Sequence, residues 1–210
     1  MISNYYTLKA VVNEIDDKIG GAEVVETFSQ AKNELIITFL SDNVYTSLVI
    51  SIDPAKSCLY TKPRIIRAKQ NSISLFRVMD QEIVSKVSIH PTDRIIEIHF
   101  SSGKKLVIMI FRGESNICLL ENGKIISAFK KGKDLQNQEF NVEKRDFEVN
   151  KYLRSSDELR NALRTIKEKN IQRTFNKALP LLSSTVVKEI LFRTHLEPGR
   201  SVADFSNIEL

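Results

Sequence analysis

RIIEIHFSSGKKLVIMIFR, residues 94–112, alternates, turns and becomes apolar again. Ile96, Ile98 and Phe100 fall on one face of an extended chain while Ile95, Glu97 and His99 fall on the other, the period of two of a half-buried strand. SSGKK supplies a tight turn and KKLVIMIFR a second run, so the stretch reads as a hairpin. Outward from it, KVSIH precedes, and SNICLLE and KIISAFK follow, joined by ENGKI. These runs predict one antiparallel meander.

A second meander lies upstream. AEVVETF, NELIITF and YTSLVISI are rich in β-branched and aromatic residues and are separated by the turn-prone SQAKN and SDN. CLYT at 58–61 adds a short fourth strand, and KPRIIRAKQN, with Pro63, reads as a connector. Helical spacing introduces each meander. Leu8, Val11, Val12, Ile15 and Ile19 make a stripe that stops at Gly20-Gly21, and Ile73, Phe76, Met79 and Ile83 predict a second helix over 72–84 behind Ser72 as cap. The expected fold class is α+β, two antiparallel sheets packed as a sandwich or flattened barrel with two helices.

From residue 134 the composition turns polar, and KDLQNQEFNVEKRDFEVNKYLRS reads as a linker or loosely packed arm. Ser155 followed by Glu158 is a capping box ahead of the helix SSDELRNALRTIKEKNIQRTFNKAL. In that helix Leu159, Leu163 and Ile166 line one face and Arg160, Arg164 and Lys167 another. Pro180 interrupts it, and SSTVVKEILFRTH starts a further helix. The expected organisation is a β-rich domain over 1–133, a linker over 134–154 and the start of a helical module over 155–210.

The 210 residues are 42% hydrophobic, enough for a substantial core. No run approaches the ~18 apolar residues of a membrane span, and the first residues lack the pattern of a secretion signal, so a cytosolic protein without a membrane partner is expected. Cys58 and Cys118 sit in apolar runs and read as free thiols. The formal charge is +5; residues 1–123 carry 14 Lys and Arg against 14 Asp and Glu, and residues 124–210 carry 17 against 12. A polyanion is therefore expected to touch the C-terminal part. No Gly-rich phosphate loop, nucleophile–base arrangement, metal-ligand spacing or carboxylate pair stands out, so no cofactor is expected and binding is favoured over catalysis.

LKAVVNEIDDKIGGAEV, NELIITF, PTDRIIEIHF, FRGESNICLLENGKIISAFK and LPLLSSTVVKEILFR occur in order across nearly the whole chain. Together they resemble the N-terminal region of the NFACT family, which includes bacterial RqcH proteins, the "fibronectin-binding protein A" group and eukaryotic NEMF. The resemblance implies a β-rich domain like that of formamidopyrimidine-type DNA glycosylases, followed by a helix-hairpin-helix-like module. Those glycosylases use an N-terminal proline and an adjacent glutamate; Ile2 and Ser3 stand there, which disfavours base excision and leaves a DNA-binding relative as the alternative. A surface adhesin is a third reading, which the absent secretion signal disfavours.

The resemblance also implies a role in ribosome-associated quality control, with tRNA and the large ribosomal subunit as partners and C-terminal alanine tailing of stalled chains as the outcome. The family's Asp-Arg pair maps onto Asp93 and Arg94, where an arginine steadied by its neighbouring acid could grip RNA. Alternatively, Asp93 caps the turn and Arg94 is a solvated residue at the strand's start. Ser115 and Asn116 fall in the family's glycine-serine-asparagine region, to contact RNA, pack the site or simply bend the chain. Arg112, and the stripe of Arg160, Arg164 and Lys167, complete the candidate phosphate contacts, with a solvated surface as their other reading. The chain departs from the family at Asn4, where an acid is usual, at Phe76-Arg77-Val78, where a basic cluster is usual, and within LPLLSS, which lacks the expected glycine.

Overall fold

A computed structural model describes residues 4–91, 93–110, 115–141, 155–166 and 168–202. The chain divides into two compact units, Thr7–Glu143 and Lys144–Leu210, the second including Ser3–Tyr6.

From Thr7 onward α1 (Tyr5–Ile19) belongs to the first unit, and its Leu8, Val12, Ile15 and Ile19 are buried on one stripe. The helix ends where Gly20 N–H donates to the Asp16 carbonyl, and Gly21 follows at φ +79°. A left-handed backbone there suits glycine, which carries no Cβ. The first sheet has the order β4-β3-β2-β1-β5, with β1 at Glu23–Ser29, β2 at Glu34–Ser41, β3 at Val44–Ser51, β4 at Cys58–Pro63 and β5 at Ile73–Ser74. The second sheet has the order β10-β9-β8-β7-β6, with β6 at Val84–Ile89, β7 at Ile95–Phe100, β8 at Lys105–Met109, β9 at Asn116–Glu121 and β10 at Lys124–Ala128. Every strand pairing within both sheets is antiparallel. Asp42-Asn43 and Asn122-Gly123 turn two of the hairpins with both residues at positive φ, the geometry that matches strand twist.

The inward faces share one core. Leu35, Ile37, Phe39, Leu48 and Ile50 from the first sheet join Ile96, Ile98, Phe100, Leu106, Ile108, Ile117 and Leu119 from the second, together with the α1 stripe. Both meanders and the face assignment of Ile96, Ile98 and Phe100 are as the periodicity predicts. Along one side the sheets are stitched together, because Val24 N–H donates to the Glu82 carbonyl and Val84 N–H to the Ala22 carbonyl.

The helix expected over 72–84 does not form. Ile73 and Ser74 pair with Ser29 and Phe28 as β5, and only Arg77–Met79 makes a 3-10 turn. Phe76 at φ +50° and Gln81 at φ +69° interrupt any helical run. Of the apparent stripe, Phe76 and Met79 are buried, but Ile73 is 60% exposed and Ile83 47%. The spacing coincided with helical periodicity, whereas pairing to β1 and to the second sheet supplies the backbone hydrogen bonds.

The polar stretch from 134 begins in regular structure. A short helix α2 (Gly132–Leu135) is followed by an isolated bridge between Glu139 and Lys124, and Leu135 and Phe140 pack on the outer face of the second sheet. Residues 142–154 lie outside the described part.

In the second unit the single long helix expected from 155 is two. These are α3 (Ser156–Thr165) and α4 (Ile171–Ala178), and α5 (Ser184–Arg193) follows. Asn170 causes the break by capping α4, its side chain accepting from Arg173 N–H. Ser155 and Ser183 cap α3 and α5 in the same way. Leu163, Ile171, Phe175, Ala178, Leu179, Val187 and Leu191 form the core of this unit. Among the described residues no helix is long and apolar enough to cross a membrane.

Candidate functional site

The end of the second sheet where β7 and β9 start and β8 stops gathers the first set of candidates. Ile110 N–H donates to the Arg94 carbonyl, and Met109 pairs with both Ile95 and Asn116. Asp93-Arg94 and Ser115-Asn116 are therefore placed in one row across three strands. Sequence separation hid that adjacency; strand register creates it.

Each member has a different task. The Asp93 carboxylate accepts the Arg94 backbone N–H at 2.8 Å, the local bond of a turn. The expected pairing of that acid with the Arg94 guanidinium is replaced by this backbone cap, because the adjacent N–H lies closer than the end of a long side chain. Arg94 itself is half-buried, and among the described residues no carboxylate pairs with its guanidinium. Asn116, 8% exposed, is a clamp. Its Nδ2 donates to the Lys130 carbonyl at 3.0 Å, while Oδ1 accepts Lys130 N–H and Ile117 N–H, each at 2.9 Å. The buried Ser115 offers its carbonyl to Lys130 Nζ at 3.1 Å.

Lys130 is thus brought to the same end by Ser115 and Asn116, of the three roles expected for them the one of packing the site. The signal was present in FKKGK, residues 129–133, where Lys130, Lys131 and Lys133 follow β10 without an intervening acid. Three strand spacings separate β7 from β10, roughly 14 Å. Cations thereby mark both sides of this sheet end. Two other cations of this sheet are ion-paired: Lys104 lies 2.7 Å from Glu82, and Lys105 lies 3.2 Å from Glu97. Burial lowers the His99 pKa, against the opposing pull of Glu97.

The remaining candidates lie in the second unit or outside the described residues. Arg160 Nη1 bonds Asp157 at 3.0 Å, while its buried Nε has no partner among the described residues. Arg164 is exposed on α3. Arg112 and Lys167 fall outside the described residues. Of the family departures, Asn4 accepts Tyr6 N–H at 2.8 Å, capping the start of α1 without a charge, and Phe76-Arg77-Val78 belongs to the 3-10 turn rather than to a helix.

A helix-led pair of five-stranded antiparallel sheets followed by a helical segment is also the fold of several solved bacterial domains. The N-terminal domain of the fibronectin-binding protein PavA from Streptococcus pneumoniae superposes with a TM-score of 0.70 at 15% identity, over 89% of this chain and 77% of that one. The N-terminal part of the fibronectin/fibrinogen-binding protein FBPS from Streptococcus suis gives 0.69 at 14% identity, over 90% and 78%. The fibrinogen-binding protein from Staphylococcus aureus gives 0.64 at 18% identity, over 94% and 77%. No curated protein matches the sequence. The family model described as NFACT N-terminal and middle domains matches residues 4–210, and the chain belongs to that family.

Proposed function

We propose that this chain is an RNA-binding module of a ribosome-associated quality-control factor, engaging tRNA on a stalled large ribosomal subunit in the cytosol and supporting C-terminal alanine tailing. The carrying observation is the end of the second sheet, where Arg94 has no carboxylate partner among the described residues and Asn116 fastens Lys130 three strands away along the same edge. Family membership over residues 4–210 supports the choice of RNA as the polyanion. Arg94 is the specific contact, Asp93 shapes the turn that presents it, and Ser115 and Asn116 position Lys130. The helical unit adds phosphate contacts through Arg164 and Lys167, with Arg112 as another. The module binds rather than turns over a substrate.

The test is titration of labelled tRNA with the folded chain across a range of salt. Phosphate contacts release counterions, so affinity falls steeply as salt rises. Arg94→Ala is expected to weaken binding about 5- to 100-fold while circular dichroism stays unchanged, the range of one lost charge-assisted contact. Salt-sensitive tRNA binding that Arg94→Ala leaves intact refutes the assigned site. Retention on immobilised fibronectin with no tRNA affinity refutes the function itself.

A further inference from the structure

The outer face of the first sheet carries a second basic surface. Phe28, Ile36 and Val49 form a small apolar cluster there, covered by Ile65. Beyond Pro63 the chain crosses this face as a strap without regular structure. Ile65 N–H donates to Ser47 Oγ at 2.9 Å, and Ala68 N–H to Gln30 Oε1 at 3.1 Å. Arg67 is consumed in fastening the strap: it donates to Ser72 Oγ, Ser74 Oγ and the Ser72 carbonyl, with its guanidinium 5.9 Å from the Phe28 ring centroid.

The strap belongs to an uncompensated run. Residues 54–79 contain six Lys and Arg and no Asp or Glu, although residues 1–123 as a whole are balanced. Lys62, Arg64 and Lys69 are exposed. Two of them lie over aromatic rings, Arg64 at 4.2 Å from the Tyr45 centroid and Lys62 at 5.3 Å from Tyr60. Tyr60 stays 38% exposed. Glu23, Glu26 and Glu34 share the outer face by register, against Lys62, Arg64, Arg67 and Lys69, so cations exceed carboxylates by one.

We propose that this face is a second RNA-binding surface, taking an extended single strand. Lys62, Arg64 and Lys69 meet its phosphates, and a base stacks on Tyr60. Charge complementarity selects a polyanion, and a ring beside the cations selects one that carries π-faces, which an anionic bilayer and an acidic peptide lack. A duplex keeps its bases stacked away from the ring. The surface lies on the other sheet from Arg94, so the proposal stands apart from the tRNA contact assigned there.

Fluorescence anisotropy of a labelled oligouridine of about 20 nucleotides, titrated with the whole chain, tests this. Roughly three phosphate contacts predict a slope of log affinity on log salt near −2. The double variant Arg64→Glu/Lys69→Glu is expected to weaken binding at least about 10-fold, and Tyr60→Ala about 5- to 100-fold, the range for one lost stack. The milder Lys62→Gln/Lys69→Gln, checked by circular dichroism, gives the same direction should the reversal disturb the fold. Oligouridine affinity unmoved by these variants overturns the proposal. So does failure to bind the oligonucleotide alongside charge-dependent binding to phosphatidylserine vesicles.

Discussion

Truncating Asn116 to alanine separates the clamp from the charge it holds. The side chain makes three neutral hydrogen bonds, two to the Lys130 backbone and one to Ile117 N–H, and is 8% exposed. Each such bond contributes about 1 kcal/mol net. Water reaches the half-exposed Lys130 more readily than the buried Ile117, so the total loss is roughly 2–3 kcal/mol rather than the full desolvation of every group. With a urea dependence of about 2 kcal/mol per molar, the unfolding midpoint should fall by about 1–1.5 M. Chemical denaturation followed by circular dichroism measures this directly. Because Lys130 keeps its charge but loses its tether, tRNA affinity should also fall, approaching that of Lys130→Met, which retains the Asn116 bonds and most of the stability. A midpoint within about 0.3 M of the parent chain refutes the clamp, since it means that water replaces all three bonds at no cost.

Two glycines should respond differently to alanine. A Cβ on Gly20 would lie 2.7 Å from the Asp16 backbone oxygen, while one on Gly123 meets nothing within 4 Å but must accept φ +78°. Denaturation should show a loss of about 2–3 kcal/mol for the first and about 1 kcal/mol for the second. Equal losses would contradict the distinction between collision and backbone preference. Burial pushes the Glu82 carboxyl up, but hydrogen bonds from Lys104 and Ser102 and the Lys104 charge outweigh it and hold the pKa below the ordinary 4.5. A depressed folded-state pKa gives stability that is present above the ordinary glutamate range and lost as pH falls through the depressed value. The stability gap between the parent chain and Glu82→Gln should therefore narrow below about pH 4.5, and a gap independent of pH would remove the linkage. Burial pushes the Cys118 thiol up to about 11 and also raises the half-exposed Cys58. Iodoacetamide at pH 8 should modify Cys58 slowly and Cys118 only after unfolding, as read by mass spectrometry; early labelling of Cys118 would show that its strand opens.

Local signals determined much of this protein. Alternation in RIIEIHF and NELIITF, the Asn122-Gly123 turn, the Gly20-Gly21 stop and the Ser155 and Ser183 caps act within a few residues, so both meanders, α1, α5 and the start of α3 were legible from the chain alone, whereas α2 and the break before α4 were not. The ordered family strings likewise indicated membership. The apparent helix over 72–84 was settled elsewhere, by free backbone groups on β1 that those residues could satisfy. The candidate site was legible as separate fragments, Asp93-Arg94 and Ser115-Asn116, but not as a row. Only strand register brings Arg94, Asn116 and Lys130 to one sheet end, and only the tertiary hydrogen bonds of Asn116 show that it fastens the Lys130 backbone instead of presenting itself. Periodicity records which face a residue occupies; which residues become neighbours across strands depends on pairing between distant segments, and that is decided when the whole sheet closes on its core.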